Sequence, residues 1–121
     1  MYYMLDKNDN VTQTTDIAIW GNYFEKQDRK IADTELENGR LSTVFLGLDH
    51  AFDGGPPKIF ESMFFGGPLD GEMRRYSTKD EALDGHAEML LEYKEAMMQD
   101  MMQDVIDSYL EEEYRSNRSE E

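Results

Sequence analysis

Three side chains that can do chemistry lie close together in the stretch LDHAFDGGPP: Asp49, His50 and Asp53. An imidazole beside two carboxylates can bind a metal ion or act as an acid/base pair. The spacing is not diagnostic of a metal site, and the other histidine, His86, has no HxxxH or HxH partner. The Gly and Pro residues that follow are typical of a rigid turn. The sequence therefore favours a structural connection here, with a binding or catalytic role as the alternative.

Other catalytic or cofactor motifs are missing from the sequence. GxGxxG, GxxxxGK[ST] and GxSxG do not occur, and without cysteine there is no thiolate ligand, disulfide or Cys nucleophile. His86 is interpreted as a helix residue whose ring packs beside Tyr76 or a sheet aromatic. We therefore predict a non-enzymatic protein with no catalytic residue, no bound metal and no cofactor.

The charge is strongly negative and unevenly distributed. The net charge is −15 and the pI is near 4.3. Residues 1–78 hold 8 Lys and Arg against 13 Asp and Glu, giving −5, whereas residues 79–121 hold 4 against 14, giving −10. Affinity for nucleic acid comes chiefly from basic side chains, so direct binding to phosphate backbones is excluded as a function class. Proteins with basic surfaces are the predicted partners. No apolar run approaches the roughly 20 residues that a membrane span needs.

The first third of the chain predicts a short strand and a short helix. Residues 2–5 form an apolar strand that ends at the turn-forming DKNDN. Thr14 or Thr15 can cap the helix that follows. Its apolar residues recur at helical spacing and predict a broad buried stripe, made by Ile17, Ile19, Trp20, Tyr23 and Phe24.

Four strands follow in succession. KIADTEL and RLSTVFLGL flank an Asn-Gly pair, a strong signal for a tight hairpin with both residues at positive φ. KIFESMFF and EMRRYS continue the series on either side of GGPLDG. The sequence thus predicts an α+β fold, in which a mostly antiparallel sheet of four to five strands packs with one short helix and a long C-terminal helix.

The long helix is predicted to begin at a capping box formed by Thr78 and Glu81 and to run to about Tyr114. At 1.5 Å per residue it would be about 55 Å long, more than a chain of this size can cover. Either it breaks or its C-terminal half projects. We predict an α+β core domain over residues 1–92, followed by an acidic, Met-rich helical extension and frayed tail over residues 93–121.

The extension has a repeating pattern, MMQDMMQDVIDSYLEE, over residues 97–112. Apolar residues fall along one stripe and acidic residues form its flank. The simpler interpretation is a helix that packs on its own sheet, and the alternative is a surface for a second copy or for another protein. The residues predicted to bind a partner are Met98, Met102, Tyr109, Asp100, Asp104, Asp107 and Glu111.

One run of the chain resembles a known group of proteins. STVFLGLDHAFDGGPPKIFESMFFGGPLDGEMRRYSTKDEALDGHAEML is similar to a widespread family of short proteins encoded by tailed phages and prophages, over roughly residues 29–92. The shared pattern is STVFLGLDH, a Gly/Pro-rich loop, F-E-[ST]-M-x-F, RYST and GHAEM. The family carries no settled activity, so the resemblance transfers no catalytic residue, and the long acidic tail departs from its pattern.

The resemblance implies a phage accessory protein that works in the host cytoplasm. Small acidic phage proteins include inhibitors that occupy the nucleic-acid channel of a host defence nuclease with carboxylates. We therefore expect a protein-binding role, with a host protein of basic surface as the partner and a homodimer through the C-terminal helix as a further arrangement. The alternatives are a small metal-dependent or acid/base enzyme built on the Asp49/His50/Asp53 loop and a purely oligomerising structural protein.

Overall fold

The computed structural model describes residues 1–51 and 53–119. Six strands and two helices follow one another along these residues. The strands are β1 Tyr2–Leu5, β2 Val11–Thr14, β3 Lys30–Leu36, β4 Gly39–Phe45, β5 Phe60–Gly66 and β6 Met73–Tyr76, and the helices are α1 Ile17–Lys26 and α2 Lys79–Ser119. The predicted α+β class is confirmed.

The strands form two antiparallel sheets. β3, β4, β5 and β6 pair in chain order as the predicted four-stranded meander, while β1 and β2 make a separate two-stranded hairpin. Strand β2 was not predicted, because VTQT carries little apolar signal and three of its four residues are exposed. The hairpin is tied to the large sheet where the Tyr3 N–H donates to the Gly47 carbonyl over 2.9 Å.

The turn between β3 and β4 differs by one residue from the prediction. Its central residues are Glu37 and Asn38, and Asn38 takes φ 65°. Gly39 is instead the first residue of β4, where a Cβ would lie 2.8 Å from the Gly66 carbonyl oxygen of β5. Glycine is needed at position 39 because β4 and β5 approach each other closely there, and not because the backbone takes a positive φ.

Helix α1 covers the small hairpin and one end of the large sheet. Asp16 caps it by accepting from the Ala18 and Ile19 N–H groups, and not Thr14 or Thr15, because Thr14 ends β2 and its hydroxyl accepts from the Asp16 N–H. Trp20 stacks between Tyr2 and Phe24, at 5.0 and 4.4 Å between ring centroids.

The predicted buried stripe on α1 is only partly right. Trp20, Tyr23 and Phe24 are half-buried, whereas Ile17 and Ile19 are 62% and 53% exposed. The hairpin has only two strands of four residues, so it is too narrow to cover the full width of the stripe.

The core lies between α2 and one face of the large sheet. Successive side chains of a strand point to opposite faces, and the inward set of β4 and β5 is fully buried: Leu41, Thr43, Phe45, Phe60, Ser62 and Phe64. Ala82, Met89 and Tyr93 meet this face from α2. Arg74 of β6 pairs with Glu88 and Glu92 of the same helix. The opposite face of the sheet carries the half-exposed Phe65 and Met73.

Helix α2 runs without a break over 41 residues, about 60 Å at 1.5 Å per residue. At its start the Glu81 N–H donates to the Thr78 hydroxyl as predicted, but that hydroxyl, rather than the Thr78 N–H, bonds the Glu81 carboxylate. Met97 still packs against the core, and every residue from 98 to 118 is exposed. Because contact with the core ends at Met97, we define the projecting segment as residues 98–119. The predicted frayed end also includes Glu120 and Glu121, which lie outside the described residues.

Candidate functional site

The loop that carries Asp49, His50 and Asp53 uses its carboxylates to close its own backbone. Asp49 Oδ1 accepts from the Ala51 N–H over 2.8 Å and from the Lys58 N–H over 2.9 Å, and Asp53 Oδ1 accepts from the Gly55 N–H over 3.0 Å. The two bonds to Asp49 hold its pKa below the ordinary value. Across residues 1–51 and 53–119, no group of three His, Asp or Glu side chains is placed to hold a metal ion.

His86 occupies a buried polar position between α2 and the sheet, and the aromatic contact predicted for it stays a prediction. Its Nδ1 lies 2.7 Å from Thr43 Oγ1 and its Nε2 lies 2.8 Å from Thr34 Oγ1, while Thr43 also bonds Ser62. The ring thus joins α2 to β3 and β4 with both nitrogens satisfied. Burial lowers the pKa of His86, partly countered by the nearby Asp33 carboxylate.

This histidine should make the stability of the fold depend on pH. Because its pKa is lower folded than unfolded, its contribution is complete above the ordinary value of 6.5 and is lost as the pH falls toward the folded pKa. We expect the melting temperature of the wild type to fall relative to that of His86→Gln as the pH is lowered from about 7.5 to 5.5. Glutamine can donate and accept but does not titrate, so two parallel pH curves would contradict this role.

The projecting segment contains all the residues predicted to bind a partner, and the helix sorts them onto two faces. Met98, Met102, Val105 and Tyr109, separated by four, three and four residues, define the apolar stripe. Asp100, Asp104, Asp107 and Glu111 have the same spacings, each two residues later, and define the acidic stripe.

Two residues rotate a helix by about 200°, so the two stripes lie on nearly opposite sides of α2. This corrects the prediction of a single surface with an acidic flank. A flat or convex partner cannot contact both stripes at once, and each stripe therefore needs its own explanation.

The acidic stripe continues the side of α2 that faces the sheet. Asp107 lies 14 residues after Tyr93 and Asp100 lies 11 after Met89, rotations that return to within about 40° of the starting direction. Where the sheet ends, carboxylates thus replace the core side chains on one continuous helix face. The start of the acidic stripe, at Asp100 and Asp104, is therefore open to solvent and lies beside the turns at Glu37 and Gly67.

The acidic stripe is scarcely neutralised by the chain itself. Residues 98–114 contain six carboxylates and no lysine or arginine. Glu111 pairs with Arg115 one turn later over 2.6 Å, and the Gln103 amide donates to Asp107 over 2.8 Å. Within residues 1–51 and 53–119, no Lys or Arg forms an ion pair with Asp100, Asp104 or Asp107.

Comparison with known protein families, curated proteins and solved structures finds no match to this chain. The resemblance to small tailed-phage proteins thus stays a prediction. Among the described residues, neither helix is long and apolar enough to cross a bilayer.

Proposed function

We propose that this chain is a non-enzymatic protein that acts by binding a basic surface on another protein through the acidic stripe. The observation that carries the proposal is the line of four exposed carboxylates on one face of a continuous helix, facing away from the apolar stripe. The line is about 16 Å long from Asp100 to Glu111. A groove that holds a phosphate backbone presents lysine and arginine at complementary positions, and opposite fields both speed encounter and select the partner.

The stripe also has a cost that binding would offset. Carboxylates three and four residues apart on a helix repel one another, by roughly 0.2–0.5 kcal/mol per pair. The acidic stripe contains three such successive pairs, on a segment whose residues are exposed from 98 to 118. A partner that supplies cations along this face would relieve the repulsion and order the helix. Given the predicted resemblance, we propose a host nucleic-acid-binding protein, of the kind that includes defence nucleases, as the partner class.

The test is the loss of binding when the stripe is neutralised. The tagged chain and a variant with Asp100→Asn, Asp104→Asn, Asp107→Asn and Glu111→Gln are used to capture proteins from a bacterial lysate, and captured chains are identified by mass. We expect a nucleic-acid-binding protein with the wild type and at least about tenfold less with the variant. Added duplex DNA should compete, because it occupies the same basic groove, and salt should weaken the complex.

A matched control separates position from net charge. It removes four carboxylates of the domain instead, by Glu25→Gln, Glu35→Gln, Glu72→Gln and Asp84→Asn, all at exposed positions. This control should bind as the wild type does. Equal capture by the wild type and the neutralised stripe would overturn the proposal, as would equal losses in both variants.

A further inference from the structure

The apolar stripe is an uncovered hydrophobic face. Val105 is 69% exposed, and Met102 and Tyr109 are 63% and 62% exposed. Met101 and Ile106 widen it on either side, and Leu91, seven residues before Met98, extends it toward the domain. Apolar residues exposed side by side on one helix face mark an interaction surface more often than scattered exposed residues do.

The stripe cannot be completed by the chain's own sheet. Met102 follows Tyr93 by nine residues, which is about 900° of rotation and places it on the side of α2 opposite the core. Because α2 is continuous from Lys79 to Ser119, the segment does not turn back. The apolar side of the helix changes from the sheet side to the outer side at the point where the sheet ends.

We propose that a second copy of this chain covers the apolar stripe, so that two α2 helices pair side by side along their outer faces. The spacings of four, three and four residues are those of alternating core positions in a two-helix coiled coil. In that arrangement Met98, Met102, Val105 and Tyr109 form the seam, and Met101 and Ile106 border it.

The distribution of charge permits a copy of the same chain on this face. Two segments that each carry six carboxylates can approach only along a face without charge, and from Met98 to Leu110 the apolar stripe and its borders contain none. The acidic stripes lie on the far sides of the pair, where their mutual repulsion is weakest and most screened. Both sheets are also on the far sides, so neither domain obstructs the contact.

The pairing also gives the projecting helix the packing that it otherwise lacks. The projecting segment buries no apolar face within its own chain, and most helices in proteins gain their stability by burying one. The seam is small beside a standard interface of roughly 800 Å² per partner, so we expect a dimer that dissociates on dilution into the micromolar range. This inference does not rest on the acidic stripe, and the two can fail separately.

The experiment is analytical ultracentrifugation of the full chain from about 1 to 100 μM, a range that brackets micromolar dissociation. The weight-average mass should rise from 14.1 kDa toward twice that value. Met102→Glu with Val105→Glu should keep the chain monomeric at every concentration. Leu110→Glu with Tyr114→Glu is the matched control, since it replaces two exposed apolar residues outside the seam with the same charge and should dimerise as the wild type does.

Cross-linking identifies the face. The chain has no cysteine, so single cysteines can be placed freely. A short bismaleimide should link Met102→Cys chains into dimers and leave Asp107→Cys chains unlinked. A wild type that stays monomeric at 100 μM, or a dimer that survives Met102→Glu with Val105→Glu, would overturn the inference. A monomer that captures a different protein only with the apolar stripe intact would assign the stripe to that protein instead.

Discussion

Phe64→Ala should lower the free energy of unfolding by about 3–5 kcal/mol, the usual cost of removing a buried aromatic ring. Phe64 is completely buried in β5, beside Leu41 of β4 and under Met89 of α2. Its ring stacks on Tyr93 with 5.4 Å between centroids. The Tyr93 hydroxyl also donates to the Glu37 carbonyl, so the cavity would loosen an attachment of α2 close to the projecting segment.

The neighbouring residue provides the control for this change. Phe65 points to the opposite face of the sheet and is 50% exposed, with the Arg40 guanidinium 6.0 Å from its ring centre. Phe65→Ala should cost roughly 1 kcal/mol, from partial burial and a weak cation–π contact. Urea unfolding followed by circular dichroism measures both variants. Similar losses at the two positions would show that α2 does not cover the face assigned to it.

Gly85→Ala should destabilise the protein by about 1–3 kcal/mol, although alanine is the better helix former. An added Cβ at Gly85 would lie 2.1 Å from the Tyr76 hydroxyl oxygen and 2.3 Å from its ring. The ring has little room to retreat, because Tyr76 is buried and its hydroxyl bonds the Met89 sulfur over 3.7 Å. Glycine at this position lets α2 approach the sheet closely, and the overlap outweighs the gain in helix propensity.

Gly21→Ala tests the same substitution in a helix where space is open. Apart from its chain neighbours and the backbone of α1 itself, no heavy atom lies within 4 Å of a Cβ added at Gly21. The change should therefore stabilise the protein by roughly 0.5–1 kcal/mol, through lower chain entropy in the unfolded state. Thermal and urea unfolding of both variants should give opposite signs. Stabilisation by Gly85→Ala would contradict the close approach of α2 to Tyr76.

Patterns local in sequence predicted most of the fold. The alternation in β4 and β5, the turn at Asn38 and the cap at Thr78 each depend on neighbouring residues, and each predicted the correct element. The wrong capping residue of α1 also has a local cause. Because β2 was not predicted, Thr14 was assigned to the start of the helix instead of the end of a strand. The position of His86 was not predictable in this way, since its partners Thr34 and Thr43 lie 52 and 43 residues away.

The residue types predicted the apolar and the acidic residues of the projecting segment, but the relative positions of the two stripes differ from the prediction. The repeat in MMQDMMQD suggested a slanting apolar stripe with acids at its flank. At 100° per residue, the two positions from Met98 to Asp100 place the apolar and acidic stripes about 200° apart. This separation could have been predicted from the sequence. The sequence did not predict the residue at which α2 leaves the sheet. That position depends on the packing of Tyr93 and Met97 against side chains of β4 and β5, which are distant in sequence.

The strand order has a consequence for how the chain folds as it is synthesised. Each strand of the large sheet pairs with the next one in sequence, and its longest connection is the 14 residues between Phe45 and Phe60, so the contacts of the meander are local and it can form early. The cover for its apolar face comes last, because α2 begins at Lys79, after all six strands. Until α2 leaves the ribosome, Leu41 and Phe64 lie on an uncovered part of the sheet, which is the kind of surface that chaperones bind.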